Sequence, residues 1–310
     1  MEYHEKEEKW FTDETPFTHE ISKHWGDWGV NSECGELGAV LLRRPGTEIE
    51  GIEDPDKWRW AEVMDPELAR RQHDNMAQIY REVAGADVYY VEDMREDRPN
   101  ALFMRDLVFM TPEGAIVGRP AIPCRRGEER YAAAALAELG VPIVRTITGT
   151  GVFEGACAMW VDPETVILGT GVRCNDEGAR QVKEVLYGMG VEEILPFPIP
   201  YAHAHVDGLM NMVDHDLAII FPWQTPHDIY AALVERGIRV IEAPSVEEVK
   251  GGSAINVVSL GPGKVLMTAG NSLTRKALED EGIEVYEIDV SEIRKGWGAL
   301  HCMTAFLKRG

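Results

Sequence analysis

One pattern recurs four times and constrains the fold more than any other feature of the chain. Leu107–Pro120 reads LVFMTPEGAIVGRP, Ala156–Gly171 reads ACAMWVDPETVILGTG, Leu209–Pro222 reads LMNMVDHDLAIIFP and Ala254–Gly270 reads AINVVSLGPGKVLMTAG. Each is an apolar run, a short turn rich in Pro, Gly or Asp, and a second apolar run. That is the signature of a β-hairpin with both strands largely buried. The starts at 107, 156, 209 and 254 are 49, 53 and 45 residues apart, a spacing that points to a repeat architecture. A helical periodicity follows each hairpin, over Glu128–Leu139, Asp176–Met189, His227–Arg236 and Ser272–Glu281. Asn175, Thr225 and Asn271 stand where N-caps belong, and Gly140, Gly190, Gly237 and Gly282 where a helix ends in a left-handed residue. A short strand follows each glycine: Val141–Val144, Glu192–Phe197, Ile238–Glu242 and Ile283–Ile288. The unit is β-β-α-β.

The chain ends complete a fifth copy. Leu300–Leu307 is an apolar strand pattern with no second strand after it, and Leu37–Arg43 is one with no partner before it. A helix, Pro66–Val83, and a strand, Asp87–Val91, follow the latter. Pairing the termini restores the unit. The expected fold class is therefore α/β, a five-bladed ββαβ propeller whose last blade is closed by N- and C-terminal strands. Residues 35–310 read as a single domain. Residues 1–34 read as an extension, with Trp10, Trp25 and Trp28 packing on the body, and Glu48–Asp65 as a loop. An open α/β sheet in two lobes is the competing architecture.

Charge excludes some partners. The 31 Lys+Arg against 53 Asp+Glu give −22, so nucleic acid and anionic membranes are poor partners and a cationic ligand is permitted. No apolar run approaches the eighteen or so residues of a membrane-spanning helix, and Met1–Lys9 is charged, unlike a signal peptide. Five cysteines at wide spacings, with no CxxC, suggest neither a disulfide framework nor a thiolate zinc site. A reducing, cytoplasmic setting is expected.

The chemically informative residues cluster at one end of the repeats. Arg105-Asp106 precede the first hairpin, Glu154-Gly155 the second and His205-Val206-Asp207 the third, and His301-Cys302 open the expected last strand. In a ring of repeats these positions converge. Taken singly, each has a bland explanation: a strand-end cap for Asp106, a solvated turn for Glu154, a core histidine for His205. Their joint occurrence at equivalent positions argues for a site.

These residues resemble the guanidino-group-modifying, or pentein, superfamily of arginine deiminases, dimethylarginine dimethylaminohydrolases and amidinotransferases. Pro99–Asp106 matches the PNxxFxRD motif, Phe153-Glu154-Gly155 the start of the EGGD segment, His205-Val206-Asp207 the HxD motif, and Gly298–Thr304 the C-terminal cysteine segment; Gly38–Gly46 matches the opening strand. The resemblance runs from about residue 31 to the end. It implies a five-bladed propeller fold and a small cationic guanidino substrate, with no cofactor and no metal. It implies Cys302 as nucleophile, His205 as acid–base group and Glu154 as the residue that binds guanidinium or orients His205. Asp106 and Asp207 would grip the guanidinium, while Asn100, Phe103 and Arg173 would contact substrate. Family members include dimers and higher oligomers, so a homo-oligomer is compatible. The chemistry suits these residue types. A free thiol of pKa about 8.5 is mostly protonated at neutral pH, and a bound guanidinium favours thiolate. Carboxylates match the fork of N–H donors that guanidinium presents.

The sequence departs from the family in two places. EGGD continues here as Glu154-Gly155-Ala156-Cys157, which removes the second acid. Trp297 stands five residues before the cysteine, where arginine deiminases often carry a substrate-gripping arginine. Arg125 or Arg126 would add charge nearby or lie on a solvated loop. Three other readings compete with a guanidine hydrolase. Amidino transfer to an amine shares the covalent intermediate. A metal-dependent hydrolase would use the alternating His203, His205 and Asp207, joined by His301. A non-catalytic binding protein would share only the fold.

Overall fold

A computed structural model of the chain describes residues 13–310. It contains five three-stranded sheets built on one plan. In four of them a hairpin is followed by a helix that returns the chain to a third strand, parallel to the second. The first combines Val108–Thr111, Gly114–Val117 and Ile143–Thr146, and the second Ala158–Asp162, Thr165–Thr170 and Glu193–Pro198. The third combines Met210–Asp214, Leu217–Ile220 and Arg239–Glu242, and the fourth Val258–Gly261, Lys264–Thr268 and Glu284–Ile288. The expected pairing of the chain ends is present. Leu37–Leu42 lies between Ala305–Arg309, antiparallel to it, and Asp87–Tyr90, parallel to it.

Local sequence explains these elements. The four connecting helices run Glu128–Glu138, Asp176–Gly188, His227–Glu235 and Ser272–Asp280. Each stops at its glycine, with φ of 78° at Gly140, 90° at Gly190, 75° at Gly237 and 88° at Gly282, a conformation costly for residues with a Cβ. Asn175 caps its helix, accepting from the Gly178 amide at 2.9 Å. Thr225 and Asn271 do not. The Thr225 hydroxyl donates to the Leu209 carbonyl instead, and the helix starts after Pro226. The buried Asn271 amide donates to the Gly252 and Thr268 carbonyls, while the Glu248 carboxylate accepts from the Leu273 and Thr274 amides. Tertiary acceptors outbid local capping there.

The structure adds detail that the sequence reading lacked. Leu300–Leu307 is not one strand: Leu300–Met303 is a turn of helix and the strand is Ala305–Arg309. The Glu48–Asp65 loop holds two short 3₁₀ turns, Thr47–Ile49 and Asp56–Trp58. Short helices at Val246–Gly252 and Ser291–Arg294 were not expected from periodicity, being too short to show it. Within the stretch read as an extension, Phe17–His24 is helical, and residues 28–35 are joined to the body. The Gly29 amide donates to Leu307, the Arg309 amide donates to Gly29, and Trp28 packs edge-on to Tyr89. Trp25 is about half exposed, and Trp10 lies outside the described residues.

A short turn precedes the first strand of every sheet. Met104–Asp106, Gly155–Cys157 and Val206–Gly208 are 3₁₀ turns, Leu300–Met303 is the helical turn, and residues 253–257 form an irregular one. The turn containing Asp106 touches those containing Gly155 and Cys302, and the Gly155 turn touches the Asp207 turn. Gly155 permits this approach, because a Cβ there would lie 2.4 Å from the Arg105 carbonyl oxygen.

Candidate active site

The structure brings the expected residues into two adjoining clusters. In the first, His205 Nε2 lies 2.7 Å from Glu154 Oε2, and His205 Nδ1 lies 3.6 Å from Asp106 Oδ1. Glu154 is fully buried. Its carboxylate also accepts from the Ala121 amide at 2.8 Å and from Arg173 Nη1 at 3.2 Å. Burial alone would raise the Glu154 pKa. The His205 hydrogen bond and the charges of His205, Arg173 and Arg125 outweigh it and keep Glu154 ionised. Burial likewise disfavours the charged form of His205, but Asp106, Glu154 and Asp207 raise its pKa above the ordinary value.

Asp106 is hydrogen-bonded through one oxygen only. Arg125 Nη1 donates to Oδ2, whereas the buried Oδ1 has no hydrogen-bond partner. Arg125 is not on a solvated loop: it is buried, donates to Glu128 Oε2 at 2.9 Å and lies 3.3 Å from the Asn100 and Phe103 carbonyls. A buried carboxylate oxygen without a hydrogen bond is costly, and the group that faces Oδ1 is His205 Nδ1, 3.6 Å away.

The second cluster surrounds sulfur. Cys302 Sγ lies 3.5 Å from Asp207 Oδ2, which also accepts from His301 Nδ1 at 2.9 Å. His301 Nε2 faces Glu33 Oε2 at 3.3 Å, and Arg105 Nη2 donates to Glu33 Oε1 at 2.8 Å. Buried charges therefore alternate in sign from Asp207 to His301, Glu33 and Arg105. Burial opposes ionisation of Asp207, but His301 holds its pKa below the usual carboxylate range. Burial, then Asp207 and Asp106, push the Cys302 thiol well above its ordinary pKa. Asn256 Nδ2 approaches the sulfur at 3.2 Å.

Other expected residues take different partners. Asn100 is buried, accepts from Trp60 Nε1 at 2.7 Å and donates to the Trp58 carbonyl at 3.0 Å. Arg173 is engaged with Glu154. The Phe103 ring packs under the loop before Cys302, where a Cβ on Gly298 would lie 2.2 Å from a ring carbon. Trp297 is 73% exposed at a φ of 64°. Cys157, in place of the family's second acid, is buried with its thiol near the Ala204 carbonyl, and burial drives its pKa well up. The HxHxD metal set does not form. Among the described residues, the potential ligand atoms that converge belong to Asp106, Glu154 and His205, without His203. His203 sits in an irregular segment rather than on a strand, so alternation does not align it with His205.

Glu33 and Asn256 escaped the sequence reading. Glu33 lies in the stretch read as an extension, and nothing local marks it. Asn256 was in principle visible as the polar residue at the start of the fourth repeat, equivalent in place to Asp106, Glu154 and Asp207.

This arrangement of repeats, with carboxylates, an imidazole and a thiol at their turns, defines a member of the guanidino-group-modifying superfamily. The chain belongs to the family described as N,N dimethylarginine dimethylhydrolase, eukaryotic, whose profile matches residues 56–309. It is 26% identical over 272 residues to the N(G),N(G)-dimethylarginine dimethylaminohydrolase of Streptomyces coelicolor, covering 87% of this chain and 96% of that one. It is 22% identical to the arginine deiminase of Lactococcus lactis, covering 90% and 98%. An amidinotransferase of the saxitoxin biosynthetic pathway from Microseira wollei shares the fold, with a TM-score of 0.74 at 15% identity, covering 91% and 97%. Among the described residues no helix is long and apolar enough to cross a membrane.

Proposed function

We propose that this protein is a cysteine-dependent hydrolase of a guanidino compound. The observation that carries the reading is the meeting of Asp106, Glu154, His205, Asp207 and Cys302 at neighbouring turns of successive repeats. The five sheets are read as blades of one propeller around this centre, with residues 35–310 as a single catalytic domain. Family membership, together with deiminase and dimethylaminohydrolase relatives, supports action on a guanidino C–N bond.

A guanidinium enters between the free Asp106 oxygen and the Asp207 carboxylate. Its charge offsets the carboxylates that disfavour thiolate, so Cys302 releases its proton to solvent as substrate binds. The sulfur attacks the guanidinium carbon. As the C–S bond forms and a C–N bond breaks, the leaving amine takes a proton from His205. His205 Nε2 is tied to Glu154, which leaves Nδ1 for this transfer. A water then gives its proton to His205 and attacks the S-thiouronium carbon. The C–S bond breaks and the added hydroxyl releases its remaining proton to solvent, leaving a neutral ureido product and the thiolate. Acid–base assistance of this kind is typically worth ~10²–10⁴ in rate. Within this reading Glu154 orients His205, and Arg173 supports Glu154. Asn100 and Phe103 shape the walls, and Trp297 indicates that the distal end of the substrate is held otherwise than in arginine deiminases.

Amidino transfer shares every step until water enters. The decisive experiment incubates the protein with a panel of guanidines and identifies products by mass spectrometry, with and without amine acceptors. Ammonia or alkylamine together with a ureido product supports hydrolysis. A new guanidine on the acceptor supports transfer. A quenched reaction should carry an adduct on the peptide containing Cys302, and Cys302→Ser should lose turnover. An adduct on Cys157, or full activity of the serine variant, refutes the mechanism.

A further inference from the structure

We infer that Asn256 is a further active-site residue, whose side-chain amide positions the Cys302 sulfur and donates an N–H bond to it. This rests on the reading of Cys302 as nucleophile, and adds the fourth repeat's contribution to the site.

The orientation of the amide follows from its neighbours. On one side stand two donors, the backbone amides of His301 at 3.0 Å and Cys302 at 3.4 Å. Only the carbonyl oxygen of Asn256 can accept from them. The NH₂ group must therefore face the other side, where it meets the Asp207 carbonyl at 3.4 Å and Cys302 Sγ at 3.2 Å. All hydrogen-bonding capacity of this 5% exposed side chain is thus directed at two site turns. A flipped amide would set donors against donors, so packing alone does not leave the orientation free.

The consequence concerns charge. The thiol donates toward Asp207 Oδ2 and accepts from Asn256. Once the proton leaves, the sulfur faces the Asp207 carboxylate, and Asn256 is the side-chain donor that remains in contact with it. A donor aimed at a developing anion, held by two backbone bonds, stabilises that anion without reorganising. The amide also lowers the Cys302 pKa against burial and the two carboxylates. Because its carbonyl grips residues 301 and 302, the same side chain sets both the place and the charge of the sulfur.

The test is alkylation of Cys302 by iodoacetamide between pH 7 and 10, mapped to its peptide by mass spectrometry, in the full-length protein. Asn256→Ala removes the donor without adding charge. Asn256→Asp keeps the shape and the two accepted backbone bonds but places an oxygen against sulfur. We expect Asn256→Ala to be alkylated at least threefold more slowly at a given pH, and Asn256→Asp at least tenfold, with the titration displaced upward and kcat lowered in parallel. A residue that merely held the loop would change melting temperature while leaving the pH dependence in place. Wild-type alkylation at every pH in folded Asn256→Ala overturns the inference. Should that variant not fold, the same result in Asn256→Asp does so. Failure of the nucleophile reading is separable, since it appears as turnover in Cys302→Ser whatever Asn256 does.

Discussion

Glu33→Gln should destabilise the protein severely, and in a pH-dependent way. Glu33 is 2% exposed and is held between Arg105 and His301. Burial opposes its ionisation, yet Arg105 and His301 overcome that and lower its pKa from the ordinary 4.5 to about 2. At about 1.4 kcal/mol for each tenfold change, this corresponds to roughly 3 kcal/mol of stability. A second route gives a similar magnitude: breaking one partner of a buried ion pair typically costs ~3–5 kcal/mol, because Arg105 keeps its charge without a counter-ion. A depressed carboxylate pKa contributes stability above the unfolded value of about 4.5. That contribution is lost as pH falls through the folded value near 2. Glu33→Gln should therefore be weaker than wild type by about 3 kcal/mol at pH 7, with the difference shrinking between pH 4.5 and 2. Urea unfolding followed by tryptophan fluorescence from pH 7 downward measures both quantities. A loss below ~1 kcal/mol at pH 7, or one unchanged in size at pH 3, would refute the reasoning. Activity should fall as well, since His301 orients Asp207 against Cys302.

Replacing His205 with Ala should remove most turnover, by ~10²-fold or more, whereas His203→Ala should lose much less, because His203 lies outside the converging cluster; kcat for a turned-over guanidine measures both, and equal losses refute the assignment. Asp106→Asn and Asp207→Asn should each lower kcat/KM more than tenfold, as expected for truncating a buried charge contact worth ~2–5 kcal/mol, while Asp214→Asn at a hairpin turn should change it little; a stable Asp106→Asn protein with wild-type kcat/KM removes the guanidinium clamp. Bound guanidine should speed alkylation of Cys302 by a small neutral reagent at pH 7, because its charge offsets Asp106 and Asp207; protection without acceleration for every non-occluding guanidine contradicts ionisation on binding.

Repeat structure was legible in the chain because hairpin, helix and glycine are all written locally. Alternation of apolar runs and turns marks the sheets, and a left-handed glycine ends a helix whatever surrounds it. The termini could be paired because one strand lacked a partner at each end. Cys302, His205, Glu154, Asp106 and Asp207 could be picked out because they occupy equivalent places in the repeats and match family motifs. What tertiary structure alone decided is how their charges are shared. In sequence Arg173 reads as a substrate contact and Arg125 as nearby charge or a solvated loop residue; only folding buries Arg125 against Asp106 and turns Arg173 to Glu154. Asn271 has the residue type of a cap, but buried carbonyls compete for its amide more strongly than its own helix does. Residues 300–303 carry a strand's apolar pattern, yet Asn256 accepts from their backbone and the segment coils into a helical turn. Glu33 stands 268 residues before His301. Hydrophobic periodicity records which side of an element faces the core. It does not record which buried charge will lie opposite which, because that depends on contacts between turns far apart in the chain.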